Sequence, residues 1–327
     1  MSQDGLDSDA LRVVETALAT RWPESRIEPS LERIADLVDL LGNPQRTYPV
    51  VHVAGTNGKT STARMIDELI RELGLRTGRF TSPHLESVTE RISLDGQPIS
   101  AERFARAYDE LTPYLDLVDR RHDVRLSFFE VLTAMAYAVF ADAPVDAAVV
   151  EVGMGGSWDA TNVADGKVAV VTPISIDHAE YLGDTVADIA VEKAGIIKPG
   201  AFVVLAAQLP PAADVLLNRA RETGATIARE GVEFGVRSRT VAVGGQLLGL
   251  DGFAGPYQDV FLPLHGAHQA QNAAAAVAAV EGFLGAGRVS LDAEAVSAAF
   301  ARVGSPGRLE VLKRAPTVLV DAAHNPA

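Results

Sequence analysis

The sequence of 327 residues contains no cysteine, which excludes disulfide bonds, thiolate metal sites and cysteine nucleophiles. Positive charge is also scarce. The 29 lysines and arginines stand against 43 aspartates and glutamates, so the formal net charge is -14 and the pI is about 4.9. Such a balance repels polyphosphate, and we expect neither nucleic acid nor an anionic membrane as a partner. ATP remains possible, because a few local amides and cations outweigh a distant field.

Long apolar runs are absent as well. The most apolar stretch, from Val131 to Val150, is interrupted by Asp142, Pro144 and Asp146, so it is too polar to span a bilayer. The first residues, MSQDGLDSDALR, are acidic and lack the apolar centre of a secretory signal. The sequence therefore predicts a cytoplasmic protein.

The remaining pattern is that of a globular α/β protein. Apolar residues make up 47% of the chain and charged residues 22%, which allows a sizeable core. Short apolar runs typical of buried strands alternate with segments of helical periodicity, and this alternation favours a mostly parallel sheet flanked by helices. The predicted strands are 48–54, 145–152, 167–172 and 201–206, and the predicted helices are 31–41, 62–73, 100 onward, 128–140, 188–197 and 212–221.

The pattern changes in the last third of the chain. Residues 231–265 form short β-like runs broken by Gly and Pro, and alanine-rich helices follow at 269–283 and 292–303. The segment Gly304–Gly307 resembles a domain linker, and two strand-like runs come after it. Since two strands cannot build a core, we expect a first domain at 1–303 and the start of a truncated second α/β domain at 304–327.

A glycine-bearing loop between a predicted strand and a predicted helix carries the strongest local signal. In Gly55-Thr56-Asn57-Gly58-Lys59-Thr60-Ser61, successive backbone N–H groups at a helix start favour an anion, and Lys59 would add a charge for terminal phosphates. The spacing is G-x-x-G-K-T rather than the usual G-x-x-x-x-G-K-T. A solvated turn with an exposed lysine is the alternative.

Two further segments follow predicted strands. Glu151 ends one strand, where parallel sheets bind ligands, and beside a phosphate loop it would be an acidic Mg²⁺ ligand. A carboxylate that caps a neighbouring helix is the alternative. The segment Trp158–Asn162 is equally typical of one wall of an acceptor pocket and of a capped helix start.

Other polar residues have weaker signals. His178 follows the strand that ends at Thr172, although a lone histidine is usually a structural hydrogen-bonding residue. Lys193 lies among apolar residues of a helix, where a lysine most often extends its charge to the surface. On residue type alone, several late residues are only polar groups at element ends: His268, Asn272, Arg308, Asp321 and His324.

Taken together, the motifs resemble those of the bifunctional dihydrofolate synthase/folylpolyglutamate synthase family, which is related to the Mur ligases, and the wording is closest to actinobacterial members. Ten phrases occur in the family's order and cover nearly the whole chain. They are AGTNGKTS (54–61), TSPHL (81–85), ERISLDG (90–96), FFEVLTAMA (128–136), EVGMGGSWDATN (151–162), TPISIDH (172–178), EKAGI (192–196), HQAQNA (268–273), SPGRLE (305–310) and DAAHNPA (321–327).

The resemblance implies a Mur-ligase-like ATP-binding domain, a smaller C-terminal domain across the active-site cleft, ATP and Mg²⁺ as cofactors, and a monomer that acts on small molecules. The implied ATP contacts are Asn57, Gly58, Lys59, Thr60, Asn272, Arg308 and Asp321. The implied metal ligands, at two magnesium sites, are Ser61, Ser82, Glu151 and His178. The implied pterin-binding residues are Ser127, Phe128, Phe129, Glu130, Trp158, Asp159 and Ala160. Catalytic roles are implied for Lys59, His178, Lys193, as a carbamylated lysine, and His324 beside the nucleotide.

The chain departs from the family pattern at two positions. Thr60 replaces the usual glycine, and Ser157 replaces the arginine of a GGR sequence that would supply charge in the cleft. The reaction implied is ATP-dependent addition of L-glutamate to dihydropteroate and to folates through an acyl phosphate. Two alternatives remain open at this point: a Mur-like ligase for another carboxylate and amine, which TSPHL disfavours, and a nucleotide-binding protein without turnover, which the expected truncation and Ser157 favour.

Overall fold

The structure is a computed structural model that describes residues 3–23, 28–307, 309–314 and 317–321. Its centre is an eight-stranded sheet in the order β4-β3-β2-β5-β1-β6-β7-β8, in which β3 and β4 are antiparallel and the other strands are parallel. The strands are β1 (Val50–Ala54), β2 (Thr77–Phe80), β3 (Ile92–Leu94), β4 (Gln97–Pro98), β5 (Ala147–Glu151), β6 (Gly166–Val171), β7 (Phe202–Leu205) and β8 (Thr226–Arg229).

Helices cover both faces of this sheet, as the predicted alternation of strands and helices requires. The first eight helices are α1 (Gln3–Ala19), α2 (Glu32–Leu40), α3 (Lys59–Glu72), α4 (Ala101–Arg121), α5 (Phe128–Asp142), α6 (Ala179–Leu182), α7 (Val186–Ala194) and α8 (Pro210–Glu222). Among the described residues, no helix is long and apolar enough to cross a bilayer. The α/β fold class with a mostly parallel sheet is confirmed.

Alternation along the strands assigns the side chains to two faces. In β5, Ala147 and Val149 pack against α3 and α9, whereas Ala148 and Val150 pack against α5 and its neighbours. All five residues of β5 are buried, which is why this strand appears in the sequence as a continuous apolar run rather than as an alternating pattern.

The segment with β-like character forms a separate antiparallel sheet of three strands, β9 (Gly235–Ala242), β10 (Gly245–Asp251) and β11 (Pro256–Leu262). It is followed by the two alanine-rich helices, α9 (Ala267–Gly285) and α10 (Ala293–Arg302). The alanines of α9 are almost fully buried, because the helix packs against both α3 and the main sheet. Both predicted alanine-rich helices are confirmed.

Two strands follow the segment 304–307. They are β12 (Glu310–Arg314) and β13 (Thr317–Val320), which pair with each other in an antiparallel sheet and have no hydrogen-bonded neighbour in the main sheet among the described residues.

The topology also locates a crevice. The chain leaves β1 through α3 toward β2 on one side, while β6 lies on the other side of β1. At such a reversal of strand order the carboxyl ends of parallel strands form a ligand-binding crevice. The polar segments that follow β1, β5 and β6 meet there.

Candidate active site

The loop between β1 and α3 is tightly packed and shaped by two glycines. Gly55 and Gly58 have φ angles of +142° and +87°, and Gly58 directly precedes Lys59, the first residue of α3. A β-carbon would lie 1.8 Å from Thr172 Oγ1 at the first position and 2.6 Å from Asn272 Oδ1 at the second. Only glycine fits at both places, and the loop is therefore held between β6 and α9.

The ammonium group of Lys59 lies over this loop. Its Nζ donates to the carbonyl oxygens of Gly55 at 3.2 Å and Thr56 at 3.3 Å. A solvated turn with an exposed lysine does not describe this arrangement. The positive charge instead stands beside the N-terminus of α3, where free backbone N–H groups favour an anion.

Glu151 joins three elements at the end of β5. It is 1% exposed, its Oε1 accepts a 2.9 Å hydrogen bond from the Thr60 hydroxyl, and its Oε2 accepts a 3.4 Å bond from the Ser82 backbone N–H. The carboxylate does contact the first turn of a neighbouring helix, as the capping alternative expects. It also faces the cleft together with Ser82.

The Ser61 hydroxyl is engaged by residues from α9 and from the segment before β12. Its Oγ lies 3.0 Å from Ser305 Oγ and accepts a 3.4 Å hydrogen bond from Gln269 Nε2. Gln269 in turn accepts from Asn272 Nδ2 at 3.2 Å. A buried polar chain therefore connects the start of α3, α9 and the segment before β12.

Lys193 is buried on α7, with 4% of its surface exposed, so the expectation of a lysine that reaches the surface is wrong. Burial first, and the nearby positive charge of Lys59 second, lower the pKa of Lys193 from 10.5 to about 7. A large share of this amine is neutral at neutral pH. A neutral amine is a nucleophile, which an ammonium group is not.

Ser157, which replaces the family's arginine, supports the same helix. Its backbone N–H and its hydroxyl donate to the Glu192 carbonyl oxygen at 2.8 and 3.1 Å. Gly195 has no room for a side chain, because a β-carbon there would lie 2.3 Å from Ser157 Oγ. The position is thus filled by a short side chain that holds the end of α7.

His178 stands at the exposed rim of the cleft. It has a left-handed backbone conformation with φ of +50° and precedes α6. Its backbone N–H donates to Asp177 Oδ1 at 3.0 Å, and its Nε2 lies 3.8 Å from the same oxygen. An accessible imidazole on a short turn remains available to a ligand.

One side wall begins at the start of α5. Ser127 and Glu130 form a capping box, with Glu130 N donating to Ser127 Oγ at 3.1 Å and Ser127 N to Glu130 Oε2 at 2.7 Å. Glu130 also forms a buried ion pair with Arg33 at 3.1 Å. Phe129 faces the cleft, whereas Phe128 is not among the lining residues. The Phe128 ring lies under the Arg91 guanidinium, with 5.2 Å between Arg91 Cζ and the ring centre.

The segment after β5 forms a capped turn and also contributes to the cleft wall. Asp159 caps a short 3₁₀ turn, Ala160–Val163, by accepting from Thr161 N at 2.9 Å. Trp158, Asp159 and Ala160 also line the cleft. Burial raises the pKa of the Asp159 carboxyl, and hydrogen bonds from Thr161, Met154 and Gly153 oppose that effect.

Most of these groups line one cavity of about 980 Å³, which is large enough for a nucleotide and a second substrate. The predicted residues that line it are Asn57, Gly58, Lys59, Thr60, Ser61, Ser82, Ser127, Phe129, Glu130, Glu151, Trp158, Asp159, Ala160, His178, Lys193, Asn272 and Asp321; His268 lines it as well. Arg308 and His324 lie outside the described residues.

Several lining residues were not singled out from the sequence. Arg33 lacks a sequence signal because its partner Glu130 is 97 residues away. Trp22 and Arg125 also lack a sequence signal. Trp22 lies in the loop after α1 and Arg125 in the loop between α4 and α5, and neither loop was singled out as a motif. Gln269 was detectable, because it belongs to the phrase HQAQNA.

The donor set fits magnesium that arrives with phosphates. No cluster of three or more His, Asp or Glu side chains capable of holding a metal occurs in the part of the chain that the structure describes. The four implied ligands, Ser61, Ser82, Glu151 and His178, line the same cavity instead. Mg²⁺ is commonly held by one or two carboxylates plus water and substrate phosphate oxygens, so a sparse protein ligand set is sufficient.

Comparisons with known proteins agree with this geometry. Residues 126–280 match the Mur ligase middle domain. The dihydrofolate synthase/folylpolyglutamate synthase of Mycobacterium tuberculosis is 56% identical, and the match covers 97% of this chain and 68% of that protein. The structure of Mycobacterium tuberculosis folylpolyglutamate synthase complexed with ADP aligns with a TM-score of 0.93 at 56% identity and covers 98% of this chain and 71% of that one. An FPGS–AMPPCP–folate complex aligns with a TM-score of 0.91 at 33% identity, covering 98% and 77%.

Proposed function

The chain belongs to the dihydrofolate synthase/folylpolyglutamate synthase family, and from this premise we propose that it is an ADP-forming ligase for L-glutamate. Its acceptors would be the carboxylate of dihydropteroate and the γ-carboxylate of folates. The observation that carries the proposal is the convergence of the Gly55–Ser61 loop, Glu151 and Lys193 on one cleft that also has a wall at 158–160.

The first step forms an acyl phosphate. A carboxylate oxygen of the acceptor attacks the γ-phosphorus of ATP, an oxygen–phosphorus bond forms, and ADP leaves. The loop N–H groups and Lys59 hold the phosphates in line and stabilise the charge that develops on them. Magnesium, when bound, supplies further neutralisation of that charge.

The second step forms the amide. The neutral α-amine of L-glutamate attacks the acyl carbon, phosphate leaves, and the nitrogen loses a proton to solvent or to a nearby base. Neither step requires a nucleophile from the protein, which is compatible with a chain that has no cysteine.

We assign the substrate contacts from the resemblance to the family. ATP would contact Asn57, Gly58, Lys59, Thr60, Asn272, Arg308 and Asp321, with His324 beside it. The pterin would lie against Ser127, Phe128, Phe129, Glu130, Trp158, Asp159 and Ala160. Support comes from the cleft lining, which includes all the described members of both sets except Phe128.

Mg²⁺ would be held by Ser61, Ser82, Glu151 and His178 over two sites. Glu151 is the centre of this assignment, because its two oxygens already meet Thr60 and Ser82. Ser61 would have to exchange its contact with Ser305 for the metal.

Lys193 would react with CO₂. Its neutral nitrogen would attack the carbon, a nitrogen–carbon bond would form and a proton would leave, which converts a buried amine into an anionic carbamate. The support is the burial of Lys193 and its lowered pKa of about 7. The carbamate would then help to place metal and substrate.

The domain division at 303/304 also belongs to this proposal. Its support is that β12 and β13 form a sheet of their own after the segment 304–307. The cytoplasmic location and the monomeric state stay predictions.

The deciding experiment measures ADP release by the purified chain with ATP, Mg²⁺, dihydropteroate and L-glutamate, and omits each in turn. We expect ADP that depends on both dihydropteroate and glutamate, with a mass increase of the acceptor by one glutamyl unit. ATP hydrolysis that ignores both substrates, or ATP binding without any product, would contradict the proposal. A UDP-linked peptide in place of dihydropteroate tests the wider Mur-like alternative.

A further inference from the structure

A buried chain of hydrogen bonds runs from the centre of β1 to the cleft. His52 Nε2 lies 2.8 Å from Thr161 Oγ1, and the Thr161 hydroxyl makes a short hydrogen bond to Asp159 Oδ1. His52 and Thr161 are fully buried, and Asp159 is 3% exposed and lines the cleft. The proposed function uses Asp159 but gives no role to His52 or Thr161.

The direction of these hydrogen bonds follows from the number of protons available to them. Asp159 Oδ1 accepts from Thr161 N at 2.9 Å, and Oδ2 accepts from Met154 N at 2.9 Å, as an ionised carboxylate does. The single hydroxyl proton of Thr161 therefore goes to Asp159. Its oxygen must then accept from the imidazole, which places the proton of His52 on Nε2.

The reverse direction leaves an orphaned donor. It would need a protonated Asp159 and a proton on His52 Nδ1, yet Nδ1 is buried and has no hydrogen-bond partner among the described residues. Buried N–H groups without an acceptor are rare in proteins. Burial first, and the positive charge of Lys198 second, also lower the pKa of His52 to about 3, so the ring stays neutral.

The backbone around Thr161 reinforces the same geometry. Its carbonyl oxygen accepts a 2.7 Å hydrogen bond from the Tyr137 hydroxyl, and the Tyr137 carbonyl accepts from Tyr48 at 3.0 Å. Thr161 is thus fixed from three sides, and so is the carboxylate that it holds. A preorganised acceptor binds a ligand without the cost of ordering it first.

We propose that His52 and Thr161 are positioning residues that hold Asp159 as a hydrogen-bond acceptor for a heterocycle rich in N–H donors. This inference rests on the proposed function for the identity of the ligand, since the pterin of dihydropteroate carries ring N–H and amino donors. Asp159 contacts the ligand, whereas His52 and Thr161 act only through Asp159.

The first test replaces Thr161 by Val, which keeps the shape and removes the hydroxyl, and by Ser, which keeps the hydroxyl. The matched control is Thr77→Val. Thr77 is as buried as Thr161, and its hydroxyl donates a 2.5 Å hydrogen bond to the buried Asp67. Neither Thr77 nor Asp67 lines the cleft. All variants are checked for a native far-UV spectrum and a cooperative melt before binding is measured.

We expect Thr161→Val to raise the Kd for dihydropteroate by about tenfold or more, because Asp159 loses one donor and its orientation. The Kd for ATP should stay within about twofold, and Thr161→Ser should stay near wild type for both ligands. Thr77→Val should change neither Kd. An unchanged dihydropteroate Kd in folded Thr161→Val, or an equal loss of ATP affinity, would overturn the inference.

The second test does not depend on the substrate. Histidine ¹⁵N chemical shifts report the tautomer, and His52→Gln identifies the signal. We expect a neutral ring with its proton on Nε2 between about pH 6 and pH 8. A proton on Nδ1 would contradict the proposed direction of the hydrogen bonds from His52 to Asp159 and so overturn the inference. If the wild-type chain shows the expected tautomer but binds no dihydropteroate, the ligand assignment and the proposed function are overturned together.

Discussion

The hydroxyl of Thr60 donates a 2.9 Å hydrogen bond to Glu151, although 91 residues separate the two. The contact ties the first turn of α3 to the carboxyl end of β5. It also gives a physical role to a departure from the family pattern, because the usual glycine at this position has no hydroxyl to offer. In this chain, the carboxylate that we assign to Mg²⁺ is oriented by the phosphate loop itself.

Replacing Thr60 by Val should weaken the response to Mg²⁺. The loop keeps its shape, but Glu151 loses a donor worth about 1 kcal/mol, which corresponds to about a fivefold higher Mg²⁺ concentration at half-maximal ADP release. Thr60→Ser should restore the wild-type value because it retains the hydroxyl. The measurement is an Mg²⁺ titration at saturating substrates, and an unchanged half-saturation in the valine variant would count against the assignment of Glu151.

Replacing Lys59 by Ala should nearly abolish product formation while leaving the fold intact. The loop loses two hydrogen bonds to carbonyls at the cleft, a small effect on stability. The reaction loses the charge that stabilises the phosphates, for which we expect about a 10³-fold lower kcat. Lys167→Ala, at the one exposed residue of β6, is the matched control. Near-normal turnover by the Lys59 variant would refute the ligase assignment.

Much of the main sheet could be predicted because its central strands are buried on both faces. β1, β5, β6 and β7 appear as mostly apolar runs, and the segments that end them carry the candidate site. β2 has no such signal. It contains Gly78, where a side chain would clash with Phe140 at 2.4 Å, and the buried Arg79, whose charge is paired with Asp67 at 2.5 Å. A strand built on a close approach and a long-range ion pair gives no local pattern.

The same limit applies to the site. Convergence of Glu151 and the 55–61 loop follows from strand ends that share one edge of a parallel sheet. The burial of Lys193 does not follow, because a single lysine among apolar residues looks the same on a surface helix and in a cleft. The Arg33–Glu130 pair and the contact of Ser61 with Ser305 are likewise products of tertiary packing alone.

Glu281 should be a stability determinant remote from the cleft. This fully buried carboxylate on α9 accepts from the Phe253 and Ala254 N–H groups and from the Tyr257 hydroxyl, and so anchors the turn between β10 and β11. Glu281→Ala leaves all three donors without a partner, which should lower the free energy of unfolding by about 3 kcal/mol.

Tyr257→Phe is the milder comparison, since it removes one donor from Glu281 and the acceptor of the Leu291 N–H. We expect it to cost about 1 to 2 kcal/mol. Neither substitution should alter the KM for ATP. Urea unfolding monitored by tryptophan fluorescence measures both, and equal midpoints for wild type and Glu281→Ala would show that the turn does not depend on the carboxylate.

Lys193 allows a pH-dependent prediction whose sign can be worked out. In the folded chain its pKa is about 7 against an ordinary 10.5, so the fold disfavours the charged form. Below pH 7 the amine is charged in both the folded and unfolded states, and the full cost of burying the charge is present. Above about pH 10 it is neutral in both states, and the cost disappears.

Lys193→Met should therefore stabilise the chain in CO₂-free buffer, by about 2 to 4 kcal/mol at or below pH 7 and by progressively less as the pH rises toward 10. The same variant should be inactive, because it cannot form a carbamate. Thermal unfolding across this pH range measures the first effect, with Lys167→Met as the exposed control. Addition of bicarbonate with Mg²⁺ should raise the melting temperature of the wild-type chain and leave the Met variant unchanged. A gain that does not vary with pH would show that better packing, rather than removal of a buried charge, stabilises the variant.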